Sequence, residues 1–170
     1  MVRYGFASCL AGGLVLVSVA SGSVHATQTK ASSSLIAILE RGSTTMAPDG
    51  TFKGRFVLTQ AGVVIKDRGT TVIRPNEGTV KIVGGQQQVP VSGVDTLTGK
   101  QGSLTLSFRG VSIIVKQIDD LKSSFDNERG TWKIGQATGA YKGWKGGGNW
   151  ALVATPAGNN IEWDGYVTSP

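Results

Sequence analysis

The stretch Ala137–Trp150, ATGAYKGWKGGGNW, gathers five glycines and three aromatics (Tyr141, Trp144, Trp150) in a chain otherwise poor in chemistry-bearing residues. Glycine-rich backbone suits phosphate cradling, and exposed aromatics suit sugar stacking. A phosphate loop requires G-x-x-x-x-G-K-[ST], and a dinucleotide fold requires G-x-G-x-x-G between a strand and a helix. Gly139, Gly143, Gly146, Gly147 and Gly148 match neither spacing. Stacking is a candidate for Trp144, which falls in the loop and is expected to be exposed. Trp132, Trp150 and Trp163 stand at alternating positions of strand-like runs, where they belong to a core or to the wall of an internal ligand site. These four tryptophans and Tyr141 are the candidate ligand-binding residues.

The N-terminus bounds the remaining options. Arg3, the apolar run Phe6–Val19 and the ending Val24-His25-Ala26 form the pattern of a secretory signal peptide cleaved before Thr27. Small and hydroxyl residues (Ser8, Gly12, Gly13, Ser18, Ser21, Gly22, Ser23) dilute the run below what a spanning helix of roughly 20 apolar residues needs. The expected product is an exported, periplasmic or extracellular protein with no stable membrane anchor. Its organisation reads as a signal peptide over 1–26, a flexible leader over 27–34 and one domain over 35–170.

Cys9 and His25, the only cysteine and histidine, leave with the signal. The mature chain therefore has no disulfide framework, no Ser-His-Asp or Cys-His nucleophile pair, and no His- or Cys-based zinc site. No cofactor and no metal are expected, and D-x-D-x-D-G calcium loops are absent. The formal net charge of +6 comes from scattered Lys and Arg, a solvated exterior rather than a nucleic-acid surface. Glu162 and Asp164 share one face of a strand and are expected to point to solvent beside a buried Trp163. Asp119 and Asp120 are adjacent, so on a strand they face opposite ways and cannot share a proton.

The body of the chain reads as strands. Phe52, Gly54, Phe56 and Leu58 alternate with Lys53 and Arg55; Leu104, Leu106 and Phe108 alternate with Thr105 and Ser107. Trp132/Ile134, Trp150/Leu152 and Ile161/Trp163/Gly165 continue that period. Turn signals separate the runs at Pro48-Asp49-Gly50, Ala61-Gly62, Pro75–Gly78, Gly84-Gly85, Thr98–Gly102, Asp126–Gly130 and Pro156–Asn160. Only Asp119–Phe125 offers a short helical turn. About eight strands without crossover helices predict an all-β fold, a single closed antiparallel barrel; a sandwich is the other closure. Glycines inside strands (Gly54, Gly69, Gly93, Gly110) favour the barrel, because tight curvature recruits them.

Gly130-Thr131-Trp132-x-Ile134, then Ala137-Thr138-Gly139-Ala140-Tyr141-x-Gly143 and Gly146, resembles the late strands of small bacterial proteins with an allene oxide cyclase-like, dirigent-like (calycin-like) barrel. Thr96–Leu106 resembles their central hairpin, and the likeness spans roughly Gly50–Val167. It implies a barrel that holds a long apolar substrate and steers cyclisation or coupling by shape. No functional motif of the plant cyclases is recognisable, so no catalytic residue is carried over, and their cavity cysteine has no counterpart. The expected function is a non-catalytic exported barrel binding a small apolar or aromatic ligand or a surface partner. The alternative is a cyclase or coupling guide acting by confinement.

Protein recovered from the extracytoplasmic fraction is expected to begin at Thr27 on N-terminal sequencing; intact cytosolic protein beginning at Met1 would overturn the export reading.

Overall fold

The structure, a computed structural model, describes residues 32–43, 45–60, 67–115, 125–155 and 157–170. Nine strands follow in chain order: β1 (Ser32–Gly42), β2 (Phe52–Gln60), β3 (Asp67–Glu77), β4 (Lys81–Val83), β5 (Gln86–Gly99), β6 (Ser103–Val115), β7 (Phe125–Ala137), β8 (Lys145–Thr155) and β9 (Gly158–Ser169). Every ladder is antiparallel, in the order β3-β2-β1-β9-β8-β7-β6-β5-β4. A further ladder, from Gly69↔Gly99 to Glu77↔Val91, joins β3 to β5 and closes eight strands into a barrel, leaving β4 as an extra strand against β5.

The period-two pattern is the cause of this closure. A strand with one apolar face must cover it, and a sheet curled onto itself covers all of them at once while removing its free edges. Every barrel strand sends large side chains inward: Ile36 and Ile38, Phe56 and Leu58, Ile73, Val91 and Leu97, Leu104 and Leu106, Trp132, Trp150, Ile161 and Trp163. Outward positions between them, such as Arg55, Val57, Glu162 and Asp164, are exposed. The Asp49 carboxylate accepts hydrogen bonds from the Thr51 N–H (3.2 Å) and hydroxyl (2.6 Å), forming the β1–β2 turn.

The sequence reading differs at the N-terminus. β1 begins at Ser32, inside the segment expected as a leader, because Ser32–Ser34 pair with Val167–Ser169. The signal peptide, the first leader residues, Asp119 and Asp120 lie outside the described residues. So does the suggested helical turn, except Phe125, which opens β7.

The glycine-rich stretch forms one end of the barrel. Gly139–Tyr141 make a single 3-10 turn between β7 and β8. Tyr141 is buried beneath the barrel, and its hydroxyl donates to the Asp67 carboxylate at 2.6 Å. That carboxylate also accepts from the backbone N–H of Arg68, Lys100 and Gln101, so it ties the start of β3 to the β5–β6 hairpin and to the 3-10 turn. Burial alone would raise Asp67; the Tyr141 hydroxyl and these N–H donors outweigh it and hold the carboxyl below its usual value. Burial and the same carboxylate push the Tyr141 phenol up.

Trp144 corrects an expectation. It is buried, with its ring edge-on to Tyr141 at 5.0 Å between centroids and 70° between planes. A backbone bond from Trp144 N–H to Tyr141 carbonyl holds it there, under the barrel rather than on the loop surface.

Gly143 follows Tyr141 with φ 84°, and a Cβ there would lie 2.6 Å from Pro170 Cγ. Gly143→Val is therefore expected to cost more than ~1 kcal/mol, and Lys142→Ala, at an exposed position, less than ~0.5 kcal/mol. Tyr141→Phe, which strips a donor from a buried carboxylate, is expected to cost about 1–3 kcal/mol. Equal, negligible losses in chemical denaturation would remove the structural role of this stretch.

Candidate functional site in the barrel interior

The interior has two chemically different halves. Phe108, Trp132, Trp150 and Trp163, from β6 to β9, form one aromatic cluster. Trp163 is its centre: its ring lies 5.7 Å from Trp150, 5.7 Å from Phe108 and 6.4 Å from Trp132, the last two edge-on. Phe108 also meets Trp150 edge-on at 5.2 Å. Such T-shaped contacts add roughly 0.5–1.5 kcal/mol each beyond area burial.

Glycines make room for these rings. A Cβ on Gly93 would lie 2.6 Å from the Phe108 ring, and one on Gly130 would lie 2.7 Å from Trp150 Nε1 and 2.0 Å from the Arg109 carbonyl. The register places Gly93 opposite Phe108 and Gly130 opposite Trp150. Large and absent side chains thus face each other across neighbouring strands.

The other half is acidic. Glu40 on β1 and Asp95 on β5 are 4% and 0% exposed, and both turn inward in phase with their apolar neighbours. Glu40 approaches Asp95, Thr71 on β3 and the Trp163 indole. The Thr71 hydroxyl donates to Asp95 Oδ1. Beyond that bond the cluster is unsatisfied: both Glu40 oxygens, Asp95 Oδ2 and Trp163 Nε1 are buried without a hydrogen-bond partner.

Trp163 stands apart from its aromatic neighbours in this respect. The Trp132 N–H donates to the Asn149 and Asp164 carbonyls at 2.8 and 3.1 Å, and the Trp150 N–H to the Arg109 carbonyl at 3.2 Å. Buried polar groups in folded proteins are nearly always paired, and each orphan costs about 1–3 kcal/mol. Four orphans from three residues of one cluster, in a barrel whose buried side chains are mostly apolar, mark this as the functional candidate.

Burial, then the neighbouring Asp95 charge, pushes the Glu40 carboxyl up from 4.5 to about 10. Burial also raises Asp95, against the nearby Glu40 carboxyl and the hydrogen bond from Thr71. The pair therefore favours a neutral carboxyl, able to donate a hydrogen bond or a proton into an aromatic surrounding.

Trp132, Trp150 and Trp163 therefore meet in the interior, whereas Tyr141 and Trp144 sit together at the barrel floor, away from the acid pair. Glu162 and Asp164 are exposed on the outer wall, as expected. Among the described residues no group of three or more His, Cys, Asp or Glu side chains is arranged to hold a metal ion. Sequence reasoning missed Glu40, Thr71 and Asp95, although their phase betrays two of them. Ile36, Ile38 and Glu40 share one strand face, as do Val91, Gly93, Asp95 and Leu97.

The outer wall carries a second feature. A groove of about 570 Å3 crosses β2, β1, β9 and β8, lined by Val57, Leu39, Ala151 and Val153 with Arg41, Arg55, Asn160 and Glu162. No protein-family model, no curated protein and no solved structure matches this chain.

The pH dependence of stability follows from the acid pair. Because the native state raises these carboxyls, their neutral forms stabilise the fold fully below the ordinary carboxylate range, and the contribution is lost as pH rises. Denaturation midpoints are expected to fall from pH 4.5 toward about 10, and Glu40→Gln to flatten that slope. Asp67 acts oppositely, its contribution disappearing only in acid, below 3.8. A midpoint that rises with pH between 4.5 and about 10 would overturn the assignment of Glu40 as a neutral acid.

Proposed function

We propose that this protein is an exported, non-catalytic binding barrel that receives a small apolar or aromatic molecule carrying one polar group. The supporting observation is the set of four unpartnered polar atoms on Glu40, Asp95 and Trp163 beside the aromatic cluster. A ligand carbonyl or hydroxyl accepting from the Glu40 acid and the Trp163 N–H would satisfy orphans that the chain leaves open. Its apolar body would enter by parting Trp150, Trp132 and Phe108, whose rings pack on one another and on Trp163, and would take up their burial without any ionisable group.

One observation favours a second reading, a cyclase or coupling guide of the allene oxide cyclase-like or dirigent-like kind. Glu40 is held protonated in apolar surroundings, the condition under which a carboxyl serves as general acid for a confined, reactive chain. The two readings share a site and differ in whether the ligand leaves changed.

Native mass spectrometry of the protein purified from its own host tests the proposal. A co-purifying small molecule is expected, with tryptophan fluorescence that shifts on its removal and an affinity at least tenfold weaker in Glu40→Leu. Conversion of the recovered molecule on incubation would move the assignment to the second reading. Absence of any ligand, with fluorescence indifferent to a panel of neutral aromatic ketones and alcohols, would end the interior-site proposal.

A further inference from the structure

The outer groove has a charge pattern that folding alone does not favour. Arg41 and Arg55 are directly opposed in the β1–β2 register and both are exposed. Like charges placed directly across an antiparallel pair are destabilising. Among the described residues neither guanidinium has a hydrogen bond or an ion pair. Both line the same apolar groove, so two uncompensated cations stand at the edge of a hydrophobic surface.

The apolar surface continues from them along the strand. Outward positions alternate, so Arg41, Leu39, Ala37 and Leu35 lie in one line on the outside of β1. Leu39 is 56% exposed and Leu35 47%. Val57, opposite Leu39, and Tyr166, opposite Leu35, widen the stripe and are themselves exposed. From Arg41 to Leu35 a strand rises roughly 20 Å. The surface is thus a narrow track of apolar side chains on β1, flanked by Thr59 on β2 and by Glu162 and Asp164 on β9, and headed by a pair of guanidiniums.

We infer that this track binds a free single-chain amphiphilic anion, with its phosphate or carboxylate head between Arg41 and Arg55 and its alkyl chain along Leu39, Ala37 and Leu35. Paired guanidiniums offer planar, forked donors suited to such oxyanions. The occupant is a single molecule rather than an anionic bilayer. Glu162 lines the groove beside Leu39, and Asp164 follows on the same outer face of β9. A flat anionic surface would meet both carboxylates, whereas one chain can keep its head on the β1–β2 side. Glu40, Phe56 and Ile161 also border the groove, but the inference rests on Arg41, Arg55, Leu39, Ala37 and Leu35 and on none of the unpartnered interior atoms.

The test titrates the full mature protein with dodecyl phosphate below its micelle concentration, followed by backbone amide shifts in NMR. The expected shifts map to β1, β2 and β9. Inorganic phosphate and dodecyltrimethylammonium are each expected to bind at least tenfold more weakly, showing that head and tail are both needed. Arg41→Gln/Arg55→Gln is expected to weaken dodecyl phosphate at least tenfold while keeping or raising Tm, since it removes a repulsion. Leu39→Ser should weaken binding without affecting phosphate alone. Equal binding of the cationic amphiphile, or undiminished binding by the double Gln variant, would overturn the proposal. So would binding confined to phosphatidylglycerol vesicles, or a protein dimer dispersed by Leu39→Ser that leaves no monomeric site for the amphiphile.

Discussion

The ladder between β3 and β5 is the constraint on which the molecule turns. It passes over β4, joins strands that are not consecutive, and converts a sheet with two open edges into a barrel. Once closed, the wall admits a limited volume of side chains, and the chain fills it by opposing Phe108 with Gly93 and Trp150 with Gly130. Closure also brings Thr71 on β3 and Asp95 on β5 within hydrogen-bonding reach, and carries them toward Glu40 on β1. An open sheet would leave these carboxyls in water with ordinary acidity. The unusual chemistry of the interior is thus a product of topology, because the step that gathers the acids also buries them.

The two carboxylate clusters show how little composition decides. Asp67 sits at the barrel floor with the Tyr141 hydroxyl and three backbone N–H groups, and these donors make the charged form the favoured one. Glu40 lies in the interior, near a second acid and an indole, without a satisfied hydrogen bond, and the neutral form wins. One carboxyl is a structural clasp and the other is an unspent hydrogen-bonding group. The difference lies in the donors each meets rather than in depth alone.

Much of the architecture was legible because strand periodicity is a local signal. The runs Phe52–Leu58, Leu104–Phe108 and Ile161–Gly165 place their apolar residues inward as read, and the stretch around Tyr141 is a barrel corner. Trp144 was misread because a loop position suggested exposure, and the edge-on packing beneath Tyr141 depends on a turn geometry that spacing does not reveal. The acid pair escaped for a different reason. Glu40 ends the run Leu35–Leu39, where a lone acid resembles a solvated strand terminus. Its meeting with Asp95 requires the β3–β5 closure, which joins residues far apart in the chain. The phase of each acid was visible, but their proximity was not.

The pairing of β1 with β9 has a consequence for how the molecule is made. Ser32 lies against Ser169 and Ile38 against Trp163, so the first strand completes its ladders only when the last is present. Contacts of such sequence separation carry a large loop-closure cost and slow folding relative to local hairpins. A chain still emerging from the ribosome can form β2–β3 or β5–β6 hairpins but cannot seal the barrel. The ladder between β1 and β9 therefore forms only after the final residues appear. Completion of the wall is thus the last event of synthesis, whichever hairpins form before it.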